Sequence, residues 1–268
     1  MKNWVYSILL TCLCAVVSCR QAGSGGVSVP AARAEEEPSV EENVARWVAS
    51  VSGLPLKEAQ DSAAVFFGRF SSDTATMRLV RIYLYDTESP WRDEDIYLPI
   101  ARGLSESEFT PDSLRESFAR EARLCSLSPR GSRAPDFIFR AGGQDTHLRD
   151  VPGQYILLIF SNPGCRACKE ISAAITENRA LLEACMQERL SVVNVYIDKD
   201  VKTWEEYANT LPPFWYKGYD PSFRLRDNKL YSIRAIPCIY LLDMNKKIIM
   251  KDAPLQRVMM YLINNLQR

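Results

Sequence analysis

The sequence predicts an α/β fold with a mixed central sheet flanked by helices, preceded by a small all-α domain. Two observations support this prediction. Over residues 38–130, apolar side chains recur at three- and four-residue spacing, which is typical of amphipathic helices. From residue 131 onward, short continuous apolar runs alternate with helical stretches, as expected when helices connect buried strands. The chain of 268 residues is long enough for both domains.

Composition excludes one class of function. The chain carries 33 basic and 33 acidic residues, so its formal charge is zero and no overall field attracts it to nucleic acid. Hydrophobic residues make up 47% and charged residues 25%, as in an ordinary globular protein. We therefore expect no nucleic-acid partner, and the function must come from local sites.

An export signal is predicted at residues 1–18. Lys2 provides a basic start, and the apolar stretch after it is too short to span a bilayer. The stretch ends in small residues followed by Cys19, which resembles a bacterial lipoprotein signal in which that cysteine is lipidated. Residues 19–37 suit a flexible tether that reaches about 20 Å. The sequence thus predicts a lipid-anchored protein of the cell envelope, facing the periplasm or the surface. An ordinary secretory peptide is the alternative.

Residues 38–130 are predicted to form the helical domain. Two apolar stripes have helical spacing, one formed by Val44, Trp47, Val48 and Val51 and the other by Leu114, Phe118, Ala122 and Cys125. Thr110 is the expected cap of a helix with Pro111 in its first turn. Breaks between helices are expected at Pro90, Gly103 and residues 129–131. The segment contains no clustered nucleophile, base or metal-ligand set, so its function is unknown.

Residues 131–268 are predicted to form the sheet-containing domain. Its expected elements are a hairpin around residues 141–145, a buried strand at 155–160, a helix at 169–188, a buried strand at 190–197, a strand at 238–243, a return strand at 247–250 and a terminal helix at 254–266. Three aromatic residues of the connecting segment either pack in the core or flank a substrate groove: Trp204, Trp215 and Tyr216.

Cys165 and Cys168 are the candidate catalytic residues, because they follow a buried strand and open a helix. Residues three apart in a first helical turn share a face, so the two sulfurs can approach bonding distance. The helix N-terminus favours the thiolate of Cys165, and Arg166 and Lys169 add positive charge in the same sense. Since thiolates attack disulfides, Cys165 is the predicted nucleophile and Cys168 the resolving thiol.

Other uses of this cysteine pair remain open. A structural disulfide is possible, whereas a zinc site would need two further ligands, and the sequence offers no second C-x-x-C and no paired histidines. His147 is the only histidine, which argues against a histidine-based triad and favours a surface or hairpin role. Ala235-Ile236-Pro237 precedes a predicted strand, so the Ile236–Pro237 bond is a candidate cis peptide.

Taken together, these motifs resemble a known family. Residues 134–137, the hairpin, residues 157–169 and residues 231–243 are similar to TlpA/ResA-type thioredoxin-like thiol–disulfide oxidoreductases, over most of residues 134–268. Residues 82–90 and 95–99 look like a helical domain of unknown function that precedes such domains in bacterial lipoproteins, and residues 214–220 and 235–237 also fit that two-domain family. The resemblance implies that Pro237 faces the cysteine pair and that Ile236 offers backbone groups to a bound peptide. Protein thiols or disulfides and an unidentified redox partner are then expected, with no cofactor and no metal.

The sequence departs from the thioredoxin pattern at several positions. Gly164 precedes the pair and Arg166-Ala167 separates it, in place of Trp-Cys-Gly-Pro-Cys. Ile159 falls where thioredoxin has a buried acid, which implies slower resolution of the mixed disulfide. Cys238 follows the proline where the family has threonine or a similar residue. It is either a third thiol near the pair or a small core residue.

These features predict an exported thiol–disulfide oxidoreductase. Reduction, formation and isomerisation of disulfides all remain open. A change of about 30 mV in the reduction potential of the cysteine pair changes the equilibrium constant for exchange tenfold, and the sequence does not fix that potential. The alternative is a non-catalytic binding or scaffold lipoprotein in which the cysteine pair is structural. Cys125 and Cys185 lie on apolar helical faces, so we expect both to be buried.

Overall fold

The computed structural model describes residues 38–227 and 229–266. The predicted signal peptide, the tether and the lipidation site at Cys19 lie outside the described residues. These described residues form one compact unit. The boundary between two domains at residues 130 and 131 stays a prediction. No helix in the described part of the chain is long and apolar enough to cross a membrane.

In the part of the chain that the structure describes, five helices precede the sheet, and helices are what the apolar periodicity predicts. They are α1 (Val40–Val51), α2 (Leu56–Phe70), α3 (Thr74–Leu84), α4 (Glu94–Glu106) and α5 (Asp112–Cys125). Three of them begin at a residue whose side chain accepts a backbone N–H of the first turn: Ser39, Asp73 and Asp93. Their apolar faces enclose a separate core, which contains Cys125 as expected. We call these five helices the helical layer.

Two details of the helical layer differ from the sequence prediction. Helix α5 does not start from Thr110, because Pro111 occupies the N-cap position and no side chain caps the helix. The Thr110 N–H instead donates to Ser107 O at 3.2 Å, so Thr110 belongs to the preceding turn. Gly103 is not a break, since it lies inside α4. A side chain there would overlap the Phe67 ring of α2, so this glycine permits close packing of the two helices.

Within the described residues, the sheet is mixed and has seven strands. They are β1 (Ile138–Ala141), β2 (Gln144–His147), β3 (Tyr155–Phe160), β4 (Leu190–Tyr196), β5 (Tyr216–Tyr219), β6 (Cys238–Asp243) and β7 (Ile248–Met250), in the order β2-β1-β5-β4-β3-β6-β7. Strands β3, β4 and β5 are parallel, and the other neighbours are antiparallel. The central strands are buried along almost their whole length, which explains their continuous apolar sequence. The predicted α/β class is confirmed.

Helices cover the sheet after β3. They are α6 (Arg166–Glu177), α7 (Arg179–Met186), α8 (Val201–Ala208), the short α9 (Arg224–Asp227) and α10 (Leu255–Leu266). The prediction of a single helix at residues 169–188 is wrong, because the helix is interrupted at Asn178. That side chain accepts the Leu181 N–H at 3.1 Å and so caps a new helix, α7.

The aromatic residues of the connecting segment pack in the core. Trp204 and Trp215 are buried beside residues of α6, α7 and α10. Tyr216 is half-buried in β5, with its ring edge-on to Phe139 at 6.4 Å. Burial excludes Trp204 as the wall of a substrate groove, whereas Trp215 and Tyr216 also line a cavity of about 430 Å³.

Candidate active site

The cysteine pair sits where β3 passes into α6. Gly164 turns the chain with φ +77°, a conformation that favours glycine, and Cys165 takes the N-cap position of α6. The Cys165 Sγ accepts the Cys168 N–H at 3.1 Å. The two residues form a disulfide with their Cα atoms 5.3 Å apart. The first-turn placement therefore brings both sulfurs together at a helix N-terminus.

The two sulfurs differ in access to solvent. Cys165 is half-buried, whereas Cys168 is 2% exposed and lies under the first turn of α6. An external disulfide can therefore approach Cys165, and Cys168 is shielded from it. This asymmetry suits a nucleophile and a resolving thiol, the roles that the sequence predicts.

The two predicted cationic modulators lie on the surface. Arg166 Nε donates to Glu170 Oε1 at 2.8 Å, and the Arg166 side chain is 92% exposed. Solvent and this carboxylate weaken the field that Arg166 exerts on the sulfurs. Lys169 is also exposed and borders a cavity of about 420 Å³ between α6 and the segment after α8. The helix N-terminus is thus the more direct source of positive potential at Cys165.

The predicted cis peptide is confirmed at Ile236–Pro237. In the antiparallel pairing of β3 with β6, Phe160 is opposite Cys238, so Pro237 lies beside the turn that leads to the cysteines. Adjacent strands are about 4.8 Å apart, which puts the proline and this turn at the same sheet edge. Among the described residues, none hydrogen bonds to the Ile236 backbone. Its N–H and C=O are therefore available to a bound peptide.

Of the two interpretations of Cys238, the structure supports the core residue. Its side chain is fully buried and lies 3.4 Å from Ser232 O, to which the thiol donates. Burial raises the pKa of the Cys238 thiol well above its usual value, and the nearby Asp252 and Glu94 carboxylates act in the same direction. A protonated, enclosed thiol cannot attack a disulfide, so Cys238 is not a third redox thiol in this state.

Sequence reasoning missed the polar residues behind the cysteine turn. Ser161 Oγ donates to Asn194 Oδ1, and Asn162 Nδ2 donates to Asp198 Oδ2 at 3.1 Å. Ile159, at the position of the buried acid of thioredoxin, is apolar and buried as predicted. The signal for these contacts was weak, because each polar residue directly follows or interrupts an apolar strand and resembles an ordinary turn or strand residue.

The remaining titratable residues show no metal-binding arrangement. His147 ends β2, with its Nδ1 2.8 Å from Asp136 Oδ2, which fits a hairpin role. In the described ranges, no group of three or more His, Cys, Asp or Glu residues is placed to hold a metal ion.

The free thiols allow a test of the site. In reduced protein, we expect iodoacetamide to label Cys165 first and Cys185 much more slowly, because burial raises the pKa of Cys185 to about 11. Its thiolate is then roughly 100-fold rarer than that of an unperturbed thiol, and its labelling rate should rise about tenfold per pH unit below pH 11. Cys125 and Cys238 should react only after unfolding. Peptide mapping by mass spectrometry measures the order, and equal rates at Cys165 and Cys185 would contradict it.

The chain is similar to known proteins in both its sequence and its structure. Residues 153–248, which include both cysteines and Pro237, match a family model described as thioredoxin-like. A thioredoxin-like protein from Bacteroides caccae has a similar structure, with a TM-score of 0.75 and 27% identity. The similarity covers 84% of this chain and 83% of that chain. It therefore extends beyond the sheet into the helical layer.

Two further relatives match over shorter segments. Nucleoredoxin of Mus musculus is 24% identical over 115 residues, or 43% of this chain and 26% of its own. This chain thus spans about a quarter of the length of that curated relative. A thiol:disulfide interchange protein from Bacteroides sp. has 21% identity and a TM-score of 0.46, over 53% of this chain and 93% of its own.

Proposed function

We propose that this chain, which carries a thioredoxin-like domain, is a thiol–disulfide oxidoreductase that acts on proteins outside the cytoplasm. One observation carries the proposal. An accessible Cys165 and a buried Cys168 share a helix N-terminus beside a cis proline whose neighbouring backbone groups are unpaired. A purely structural disulfide requires neither the difference in access nor the free backbone beside it.

The exchange proceeds in two balanced steps. The Cys165 thiolate attacks one sulfur of a substrate disulfide, whose S–S bond breaks as a Cys165–substrate disulfide forms. The released substrate thiolate takes a proton from water. Cys168 then gives up its proton and attacks the Cys165 sulfur, which closes the Cys165–Cys168 disulfide and expels the second substrate sulfur, and that sulfur takes up the proton from Cys168. Two electrons and two protons pass to the substrate, and the reverse sequence forms a disulfide in it.

The surrounding residues bind and orient the reactants. The N-terminus of α6 stabilises the sulfur anion of Cys165, both as nucleophile and as leaving group. The N–H and C=O of Ile236 pair with an extended segment of the substrate, as an added strand would. A membrane anchor at Cys19 would hold the domain in a compartment where disulfides persist, so export is part of the proposal.

Trapping the intermediate tests this function. We expect reduced Cys168→Ser protein to form a stable mixed disulfide with insulin, because the serine cannot release the substrate from Cys165. Non-reducing electrophoresis should show the conjugate, and mass spectrometry should locate it at Cys165. The matched control is Cys165→Ser, in which the remaining Cys168 is buried and should form no conjugate. Equal yields from the two variants, or no conjugate from Cys168→Ser, would overturn the proposal.

A further inference from the structure

Carboxylates and cations are buried where the helical layer meets the loop that carries the cis proline. We call Glu94, Asp95, Arg234, Lys251 and Asp252 the interlayer ionic cluster. Glu94 and Asp95, in the first turn of α4, are each 1% exposed, and the Lys251 side chain is 0% exposed. Charged residues are rarely buried this completely unless they are paired. The cluster therefore ties together the elements that supply its members.

Arg234 makes the central contacts of the cluster. Its Nε donates to Glu94 Oε1, its Nη1 to Tyr85 O, and its Nη2 to Asp252 Oδ2 at 2.6 Å. The guanidinium carbon lies 4.1 Å from the centroid of the Tyr85 ring. Glu94 belongs to the helical layer and Tyr85 directly follows its helix α3, whereas Arg234 lies two residues before Ile236. One side chain thus joins the helical layer to the loop.

Glu94 contacts the loop a second time. Its Oε1 also accepts the Ser232 Oγ–H at 2.8 Å, and its Oε2 lies 3.2 Å from Lys251 Nζ. The Lys251 ammonium donates to Cys125 O at 2.6 Å and to Leu127 O at 2.9 Å, so its position is set by the end of α5. Ser232 and Arg234 of the loop therefore both donate to the same oxygen, Glu94 Oε1.

We infer that Glu94 is a positioning residue for peptide substrates and that the helical layer serves to hold the cis-proline loop in its binding conformation. Ser232 and Arg234 lie between β5 and β6, outside any strand, and no residue in the described ranges pairs with the Ile236 backbone next to them. Without the Glu94 contacts, Arg234 would keep its bonds to Asp252 and Tyr85, but the segment before Pro237 would lose both of its contacts with α4. The inference rests on the proposed function, because Ile236 is the group that these contacts position.

A comparable ion pair inside the helical layer provides a matched control. Glu121 is also buried and accepts Arg81 Nη2 at 2.7 Å and the Tyr97 hydroxyl at 2.8 Å. Among the described residues of the loop, none forms a hydrogen bond or ion pair with it. Glu94→Gln and Glu121→Gln therefore each remove one buried carboxylate charge from the helical layer. Only the first removes a charge from the contact with the cis-proline loop.

Two substrate disulfides of different size distinguish a loss of peptide positioning from general structural damage in a variant. Insulin presents a peptide backbone to Ile236, whereas 5,5′-dithiobis(2-nitrobenzoic acid) presents only a small aromatic disulfide to Cys165. With dithiothreitol as electron donor, we expect Glu94→Gln to raise the KM for insulin about tenfold, since small displacements of a binding group cost this much or more. Pre-reduced Glu94→Gln protein freed of dithiothreitol should react with the small disulfide at a rate within about twofold of wild type, because the Cys165 environment is unchanged. Glu121→Gln should leave both values near wild type.

The outcomes distinguish this inference from the proposed function. Wild-type protein that reacts with neither disulfide would overturn both. If wild type reduces both, a Glu94→Gln variant with a wild-type KM for insulin overturns the positioning role alone, as does an equal loss with both disulfides. Ser232→Ala, which removes only the 2.8 Å hydrogen bond, replaces Glu94→Gln if that variant fails to fold. A smaller rise in the KM for insulin supports the inference, and an unchanged KM overturns it.

Discussion

Cys165→Ser is expected to lower the rate of insulin reduction by roughly 10³-fold or more, since removing a nucleophile removes the covalent route. The remaining Cys168 cannot replace it, because that residue is 2% exposed and lies beneath the first turn of α6. A serine hydroxyl at residue 165 forms no disulfide. The rate is measured from the turbidity of insulin chains released in the presence of dithiothreitol, relative to the uncatalysed rate.

Cys185→Ser is the matched control for this loss. Cys185 is a half-buried thiol on α7, and burial raises its pKa to about 11, so it is protonated near neutral pH. We expect this variant to keep insulin reduction within about twofold of wild type, as for most single changes outside a site. If Cys165→Ser retained wild-type turnover, or if Cys185→Ser lost it, Cys165 would not be the nucleophile.

The sequence predicted the cysteine site well because its signals are local. A C-x-x-C motif directly after a continuous apolar strand places both cysteines in a first helical turn, whatever the rest of the fold. The signal for the cis proline is also local, because Pro237 immediately precedes the strand that pairs with β3. Both predictions depend on fewer than ten consecutive residues around each motif.

The predictions that failed depend on tertiary contacts or on short polar segments. Strand β5 contains Lys217 and Gly218, so its four residues lack a strand pattern. Gly218 is required because a Cβ there would lie 2.6 Å from Arg140 O on the neighbouring strand. The sequence pattern predicts that Asn178 lies within one long helix, whereas in the structure its side chain caps α7. In each case the deciding partner is a backbone group that the sequence pattern does not reveal.

The interlayer ionic cluster was missed for a different reason. Acidic residues in a first helical turn normally face solvent and complement the helix dipole, and Asp93-Glu94-Asp95 fits that pattern. Glu94 is paired with Arg234, 140 residues later, and with Lys251, whereas Asp93 and Asp95 are both paired with Arg130. Charge pairing across such a separation leaves no periodic signal. The contribution of the cluster to the free energy of unfolding can be measured by substituting Lys251.

Lys251→Met is expected to lower the free energy of unfolding by about 3 kcal/mol near pH 8, because it removes one buried cation from carboxylates that keep only Arg234 and Arg130 as partners. The Lys251 ammonium lies 3.2 Å from Glu94 Oε2 and 3.7 Å from Asp95 Oδ1, with its side chain 0% exposed. Lys57→Met is the control, since Lys57 is 80% exposed in its pair with Asp61 and should change stability by less than about 1 kcal/mol. Urea unfolding measures both variants.

The loss at Lys251 should also depend on pH. Burial raises the pKa of the Glu94 carboxyl in the native state, and removing the Lys251 charge, which lowers that pKa, raises it further. Above the usual glutamate range, the native variant then binds a proton that the unfolded chain has released, so its stability falls as the pH rises. The deficit relative to wild type should therefore shrink from about pH 8 to about pH 5. A deficit that is constant over this range would show that lost packing around the Lys251 chain, rather than an unpaired carboxylate, causes it.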